Sequence, residues 1–356
     1  MRILRVRAVQ TAAVILLTLG FLYIAFRGTE FGKLGEALSR GNYFVASLVI
    51  PLILTAIGVR AWRWRYLLAP LKPRTSFPNL FASTMMGYAL SNFVPRVGEL
   101  VRPYTLGNLE GISKSGALGT IVVERVIDML TLLLLLGGVF AAGEARLTAV
   151  FPWLLQAASI LFAATLSIVL FLFFLFWKKN PTLALYRRLF GFLPSRLLEK
   201  TESVLDTFVE GFRVIREPRL YTMIAVFSIL LWCVYLLMMY VPFYAFGLTE
   251  AHNLDLSAAA VLLVVSSVSV IIPTPGGTGS FHSLISAVLI GMYGVDRETA
   301  LSYATVTHAM GYLGVSAVGL VYFLKYNMRL SEALKEPPPP KGSSAQPQHF
   351  NRSREL

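Results

Sequence analysis

Six runs of apolar residues, each close to the length needed to cross a bilayer, set the terms on which this chain can fold. A hydrocarbon core about 30 Å thick takes roughly 20 residues of α-helix, and residues 9–26, 43–61, 116–142, 151–177, 220–247 and 299–325 meet that requirement. In lipid, backbone N–H and C=O groups must be satisfied inside the protein, so such runs fold as helices. Composition agrees, with 56% hydrophobic residues, 14% charged and a mean hydropathy of +0.65, too apolar for a soluble domain of this length. The expectation is an all-α integral membrane protein, with residues 1–330 forming one polytopic domain. Residues 2–26 open on Arg2, Arg5 and Arg7 as a signal peptide would, yet no small-x-small cleavage site precedes Arg27, so the first run is read as a retained span.

The positive charges give an orientation. Arg60, Arg63, Arg65, Lys72 and Arg74 follow the second run, and Lys178, Lys179, Arg187, Arg188, Arg196, Lys200, Arg213, Arg216 and Arg219 follow the fourth. The opposite loops hold only Arg146 within 143–150 and no basic residue within 248–256. The positive-inside rule then puts both termini in the cytoplasm of a cell (inner) membrane protein. Trp62 and Trp64 read as interfacial aromatics closing the second span, and Trp153 and Trp177 bracket the fourth. The formal charge of +13 reflects this topology and an attraction to anionic headgroups rather than nucleic-acid binding. Residues 195–216 carry Leu197, Leu198, Val204, Leu205, Phe208, Phe212 and Ile215 on one side, the pattern of a surface-lying amphipathic helix. The proline-rich tail over 336–356 reads as disordered.

Two further apolar stretches are short, and each ends at a proline and a glycine turn. Residues 77–95 run into "PRVGELVRP" and residues 257–273 into "PTPGGTGSFHS". Broken backbone at membrane depth is tolerated only where protein or a watery cavity satisfies it, so both are read as re-entrant hairpins. Their turns contain Pro95 and Gly98 in the first, and Pro273, Pro275, Gly276, Gly277 and Gly279 in the second. The regions resemble each other at an offset of 183, which pairs Gly111 with Gly294, Ala117 with Ala300, Val123 with Val306 and Arg125 with His308. With the charge topology above, the two hairpins face opposite leaflets. The chain then reads as an inverted repeat with halves of about 43–142 and 220–325, as in transporters whose interrupted elements meet near the midplane.

Chemistry concentrates in "VVERVID" and the first hairpin. Glu124, Arg125 and Asp128 share one arc of a helix inside an apolar run, where charges must face the bundle interior and pair with one another or with a polar ligand. Arg96, Glu99 and Arg102 bring the number of charges to six, more than an ion pair that merely fixes packing would need. Arginine suits a phosphate-bearing headgroup through its paired donors, with Glu99, Glu124 and Asp128 balancing the charge. The glycine turn of the second hairpin offers backbone amides to an anion, or serves only as a tight kink. His282 and His308 beside it are read as hydrogen-bonded core residues or as proton carriers. Cys233 is the only cysteine, so no intramolecular disulfide is available and no metal or cofactor is expected.

The order "NFVPRVGELVRP", "VVERVIDML", "IPTPGGTGSFH" and a final span resembles the flippase-like transmembrane family named after the membrane domain of lysylphosphatidylglycerol synthase, over roughly residues 10–325. The resemblance implies movement of a phospholipid or lipid-linked intermediate between leaflets. It also implies roles for Pro95, Gly98, Glu99, Arg102, Glu124, Arg125, Asp128, Pro273, Pro275, Gly276, Gly277 and Gly279. The family often has an acidic residue where His282 stands and an arginine near His308, which leaves the headgroup and any ion coupling open. Nothing after Lys335 reads as an aminoacyl-transferring domain, so aminoacylation is not expected. Nor is an enzyme of another kind: the outer loops offer Glu144, Glu250, His252, Asp255, Asp296 and Glu298 without metal-ligand spacing, and no Walker loop or nucleophile elbow occurs. The expected ligands are membrane lipids, moved without ATP. The alternative is an accessory subunit for a lipid-modifying or glycosyltransferase partner.

Overall fold

The computed structural model describes residues 2–142, 146–177 and 211–326. They form helices and connecting turns, with no strand among the described residues. In chain order the α-helices are α1 (Arg2–Phe26), α2 (Phe31–Arg40), α3 (Tyr43–Ser47), α4 (Val49–Leu68), α5 (Phe77–Phe93), α6 (Gly98–Glu110), α7 (Lys114–Ala141), α8 (Arg146–Val150), α9 (Leu154–Trp177), α10 (Pro218–Ala245), α11 (Leu248–Ala251), α12 (Leu256–Ile271), α13 (Ser280–Tyr293) and α14 (Arg297–Lys325). Of the amphipathic helix expected over 195–216, only Gly211–Arg216 is described, as a 3₁₀ helix that buries Phe212. The remainder, and the tail over 336–356, lie outside the described residues.

Among the described residues, three helices are long and apolar enough to cross a membrane: Tyr43–Leu68, Pro218–Ala245 and Arg297–Lys325. A fourth span results if Val14–Phe26 and Phe31–Arg40, bent by 85°, are taken together. Of the six expected runs, 116–142 is also a continuous helix of 28 residues, and it carries Glu124, Arg125 and Asp128 in its interior. The run at 151–177 is helical from Leu154. The molecule is thus an all-helical integral membrane protein built around a few long helices and several short ones.

Helices α4 and α10 are antiparallel neighbours. Asn42 pairs with Ala245, Arg60 with Tyr235 and Arg63 with Ser228, so one number rises as the other falls. The α5–α6 hairpin follows the C-terminal end of α4, and the α12–α13 hairpin follows the C-terminal end of α10. The two hairpins therefore enter the bundle from opposite ends. Each crosses to the other half: α5 packs on α14, and α12 packs on α7. One apolar core gathers Trp64, Leu67, Leu80, Leu106 and Ile121 around the first hairpin, and the largest gathers residues of α7, α10, α12 and α13 around the second.

Local signals recur at the offset seen in the sequence. Helix α6 ends at Gly111 (φ 66°) and α13 at Gly294 (φ 65°), both in the left-handed conformation that favours glycine. Ser113 then caps α7 through the Gly116 amide, and Asp296 caps α14 through the Thr299 amide. The hairpin arms are 17 and 13 residues in the first case, 16 and 14 in the second, each followed by a helix of 28 or 29.

Glycine sets how closely the first hairpin closes. A Cβ on Gly98 would lie 2.2 Å from the Gly87 carbonyl oxygen, and one on Gly87 would lie 2.5 Å from Arg102 Cγ. The two glycines let α6 lie against α5 with the Arg102 stem between them. At the far end of α6, Glu110 ties the hairpin to the α4–α5 loop. It accepts from Lys72 Nζ, from Asn79 Nδ2 at 2.6 Å and from the Ser76 amide at 3.2 Å.

Two outcomes follow from this packing. Gly98→Ala should spread the hairpin and cost about 1–3 kcal/mol, read as a drop in the detergent-solubilised unfolding temperature. Burial alone would raise the Glu110 pKa, but the bonds from Lys72, Asn79 and the Ser76 amide outweigh it and hold the group below its ordinary 4.5. Its contribution is therefore present above that value and lost as pH falls through the folded-state pKa. Glu110→Gln should remove about 1–2 kcal/mol at neutral pH and flatten the acid limb of the stability curve.

Candidate functional site

Four helices bring charge to one place. Arg60 and Arg63 come from α4, Arg102 from α6, Glu124, Arg125 and Asp128 from α7, and α10 adds Ser228 and Tyr235. The spacing explains the convergence: Arg60 and Arg63 are three apart on α4, and Glu124, Arg125 and Asp128 lie within about one turn of α7.

Glu124 is the hub, and it is fully buried. Arg102 binds it with both terminal nitrogens, Nη1 to Oε1 and Nη2 to Oε2, each at 3.0 Å. Arg125 Nη2 donates to Oε1 at 2.7 Å, and Arg60 Nη1 donates to the same oxygen. Arg63 Nη2 stands 3.8 Å away. Asp128 takes the remaining donors, from Arg63 Nη2 at 2.7 Å and Arg60 Nη1 at 3.0 Å, with Arg125 Nη2 at 3.5 Å. Arg60 also donates to Tyr235 Oη at 2.9 Å and Arg63 to Ser228 Oγ at 3.2 Å. Below the cluster, the Arg102 guanidinium lies 4.5 Å from the ring centre of Trp64, whose Nε1 donates to Thr120 Oγ1.

The count of charges is unequal. Four arginines meet the carboxylates of Glu124 and Asp128, with Glu99 at the rim as a third, which leaves a net positive charge. The Nε–H groups of all four arginines are buried without a hydrogen-bond partner. Glu99 on α6 lies at the rim, 3.8 Å from Arg125 Nε. Exposure grades in the same direction: Glu124 and Arg63 are wholly covered, Arg125 is 30% exposed and Glu99 45%. The cluster therefore opens beside Arg125.

The sequence reading brought together Arg102, Glu124, Arg125 and Asp128 with Glu99, and it misplaced Arg60, Arg63, Trp64 and Arg96. Arg60 and Arg63 are buried inside α4 rather than flanking it, and Trp64 is fully buried rather than interfacial. Their i, i+3, i+4 spacing is a helix-face signal, masked in the sequence by the basic loop that follows. Arg96 stands apart from the other charges. It sits at the first hairpin turn with φ 62° and donates from Nη2 to the Ile271 carbonyl at 2.9 Å.

That contact belongs to a second meeting point, between the two hairpin turns. Asn92 Nδ2 donates to the Tyr312 carbonyl at 3.1 Å and to Ser316 Oγ at 2.9 Å, and a Cβ on Gly276 would lie 3.4 Å from Asn92 Cα. The turns holding Pro95 and Pro273 to Gly279 thus face each other across the bundle. His282 and His308 are here, with ring centres 4.9 Å apart, and not in the arginine cluster. No group of three or more metal-ligating side chains occurs among the described residues.

Comparison with known proteins follows this geometry. The model of the lysylphosphatidylglycerol synthase transmembrane region matches residues 10–319. A UPF0104 membrane protein of Methanocaldococcus jannaschii is 24% identical over 88% of this chain and 95% of its own length. Two UPF0104 membrane proteins of Methanothermobacter thermautotrophicus are 22% and 23% identical, over 86% and 81% of this chain and 92% and 85% of theirs. No solved structure matches the chain.

The hub gives a direct test. Glu124→Gln leaves four arginines facing one full carboxylate and should cost about 3–5 kcal/mol. Glu99→Gln, at the solvated rim, should shift stability by less than about 1 kcal/mol. Thermal unfolding of both variants in one detergent measures the difference.

Proposed function

This chain belongs to the lysylphosphatidylglycerol synthase transmembrane-region family, and from that premise we propose that it carries a phosphate-bearing lipid headgroup between membrane leaflets through the polar interior. The observation that supports this best is the excess of buried arginine over carboxylate, open on one side beside Arg125. A net positive charge away from bulk water is costly by several kcal/mol. A phosphate oxygen anion arriving at the open edge offsets that cost and gives the idle Nε–H donors an acceptor. Guanidinium groups suit this task because their charge persists at any physiological pH and their donors match phosphate geometry.

In this reading the roles are divided. Arg102 and Glu124 form the fixed base, held by two-point bonding. Arg125, at the edge, makes first contact, with Glu99 and Asp128 limiting how much anion enters or receiving a cationic part of the headgroup. Arg65, Lys72 and Arg74 remain as basic flanking residues and keep both termini cytoplasmic. The antiparallel α4–α10 pair then makes the two hairpins re-entrant from opposite leaflets, and the halves about 43–142 and 220–325 an inverted repeat with α7 and α14 as counterparts. The headgroup would pass between the turns. The energy source is a lipid or ion gradient rather than ATP.

The test is a dithionite-quenching assay on proteoliposomes that contain labelled phospholipids of several headgroups. The native protein should expose inner-leaflet label, and a folded Glu124→Gln, Arg125→Gln double variant should do so roughly tenfold or more slowly. A native protein that moves no lipid of any headgroup overturns the reading and directs attention to an accessory-subunit role. Equal rates in the native and double-variant proteins remove the arginine cluster from the path.

A further inference from the structure

Two prolines leave the end of α12 short of donors. In an uninterrupted helix the Ser269 carbonyl would accept from residue 273 and the Ile271 carbonyl from residue 275, but both are proline and have no N–H. Ser280 Oγ, at the start of α13, reaches the Ser269 carbonyl at 3.1 Å. The Ile271 carbonyl is met from the other hairpin, by Arg96 Nη2 at 2.9 Å. A neutral donor is enough for such a carbonyl, as Ser280 shows. Arg96 brings a permanent charge and several further N–H groups, and it makes no ion pair and no second hydrogen bond among the described residues.

Packing does not explain this placement. Arg96 has φ 62°, a left-handed conformation that glycine adopts at less cost. Its side chain is exposed, and so are Phe93 and Val94 before it and Val270 and Ile271 across the contact, which makes the surrounding surface apolar. The turn also lies deep. Helices α5 and α12 enter from opposite ends of the bundle and run 17 and 16 residues, about 25 Å each at 1.5 Å per residue, before their turns touch. Beside them α10, with 28 residues, is about 42 Å long, so the turns meet between the two ends of the bundle. Arg96 is thus an exposed cation on apolar surface, where a charge is costly unless it meets a polar ligand. A guanidinium cannot escape that cost by losing its proton.

A short route joins this point to the open edge of the arginine cluster. Arg125 Nε lies 3.8 Å from Glu99, and the Glu99 amide donates to the Arg96 carbonyl at 3.2 Å, one turn back along the chain. All three side chains are partly or well exposed.

We propose that Arg96 binds the phosphate of a membrane lipid at the junction of the hairpins. The Ile271 carbonyl orients the guanidinium, the N–H groups it leaves unused hold the phosphate, and the acyl chains lie against Phe93, Val94 and Val270. The inference rests on the translocation reading and extends it, adding to the contact at Arg125 a second one at the meeting of the turns.

Two variants separate charge from capping: Arg96→Lys keeps the charge, and Arg96→Gln keeps an N–H donor for the Ile271 carbonyl without it. Binding is read from the arginine ¹⁵Nε–H resonances of the full chain in maltoside detergent, which contains no phosphate, with the Arg96 signal assigned by its loss in Arg96→Lys. Phosphatidic acid should shift that signal, and diacylglycerol, with the same acyl chains and no phosphate, should not. An equal shift with equimolar inorganic phosphate makes the ligand free phosphate and overturns the lipid assignment. A signal unmoved by phosphatidic acid overturns the proposal, even if lipid moves in the flipping assay. In that assay Arg96→Gln should slow transfer about tenfold and Arg96→Lys should slow it less. Native rates in Arg96→Gln reduce Arg96 to a cap for α12 and also overturn the proposal. A shift with phosphatidic acid in a protein that moves no lipid supports the site and refutes translocation, so the two readings fail separately.

Discussion

Glu124 holds the first half of the molecule together. One carboxylate, with no contact to solvent, takes hydrogen bonds from arginines on α4, α6 and α7 and has a further arginine within 4 Å. Each helix reaches the hub from a different direction, so their mutual positions are set by charge as much as by apolar packing. Attraction between unit charges 4 Å apart is about 4 kcal/mol at an effective dielectric of 20, larger than most single apolar contacts. That strength comes with a constraint. Apolar contacts tolerate sliding, but a two-point guanidinium–carboxylate pair does not, so the hairpin arm α6 is fixed in register against α7. The glycine pair Gly87 and Gly98 is the geometric counterpart, since Arg102 reaches Glu124 only if α6 lies this close to α5.

Much of the architecture was legible because it is written in local signals. Pro95 and Pro273 end short apolar helices, Gly111 and Gly294 terminate the hairpins in the left-handed conformation, and Ser113 and Asp296 restart the chain as long helices. These depend on nearest neighbours, which a sequence displays directly. What was not legible depends on depth. Arg60 and Arg63 adjoin Arg65 and a basic loop, and a row of arginines at the end of an apolar run looks the same whether it lies outside the membrane or is drawn in by buried carboxylates. Their partners lie more than 60 residues away on α7. Arg96 shows the converse. Three residues from Glu99 and six from Arg102, it read as part of their cluster, yet the hairpin turn aims it at the other half of the protein.

The number of spans was harder to read for a related reason. A rule of length and apolarity counts α7 out because of the charges it carries, although it is as long as α10. Those charges are affordable in a helix only because α4 and α6 supply the counter-charges, a fact of tertiary structure. Helices α5, α6, α12 and α13 pose a different difficulty, being too short to span alone at 1.5 Å per residue. Arg96 of the first turn satisfies the Ile271 carbonyl at the end of α12, and His308 of α14 the Gly276 carbonyl of the second turn, which is what broken helices inside a bundle require.

The regions around the two hairpins share their helix lengths and caps and differ in chemistry. Here the α4–α6–α7 side carries arginines that cannot lose their charge, and the α12–α13–α14 side carries histidines that can. The offset that pairs Arg125 with His308 places these unlike groups at matching positions of the two halves. The asymmetry between the hairpins thus lies in the side chains, laid on backbone segments of matching length and matching caps.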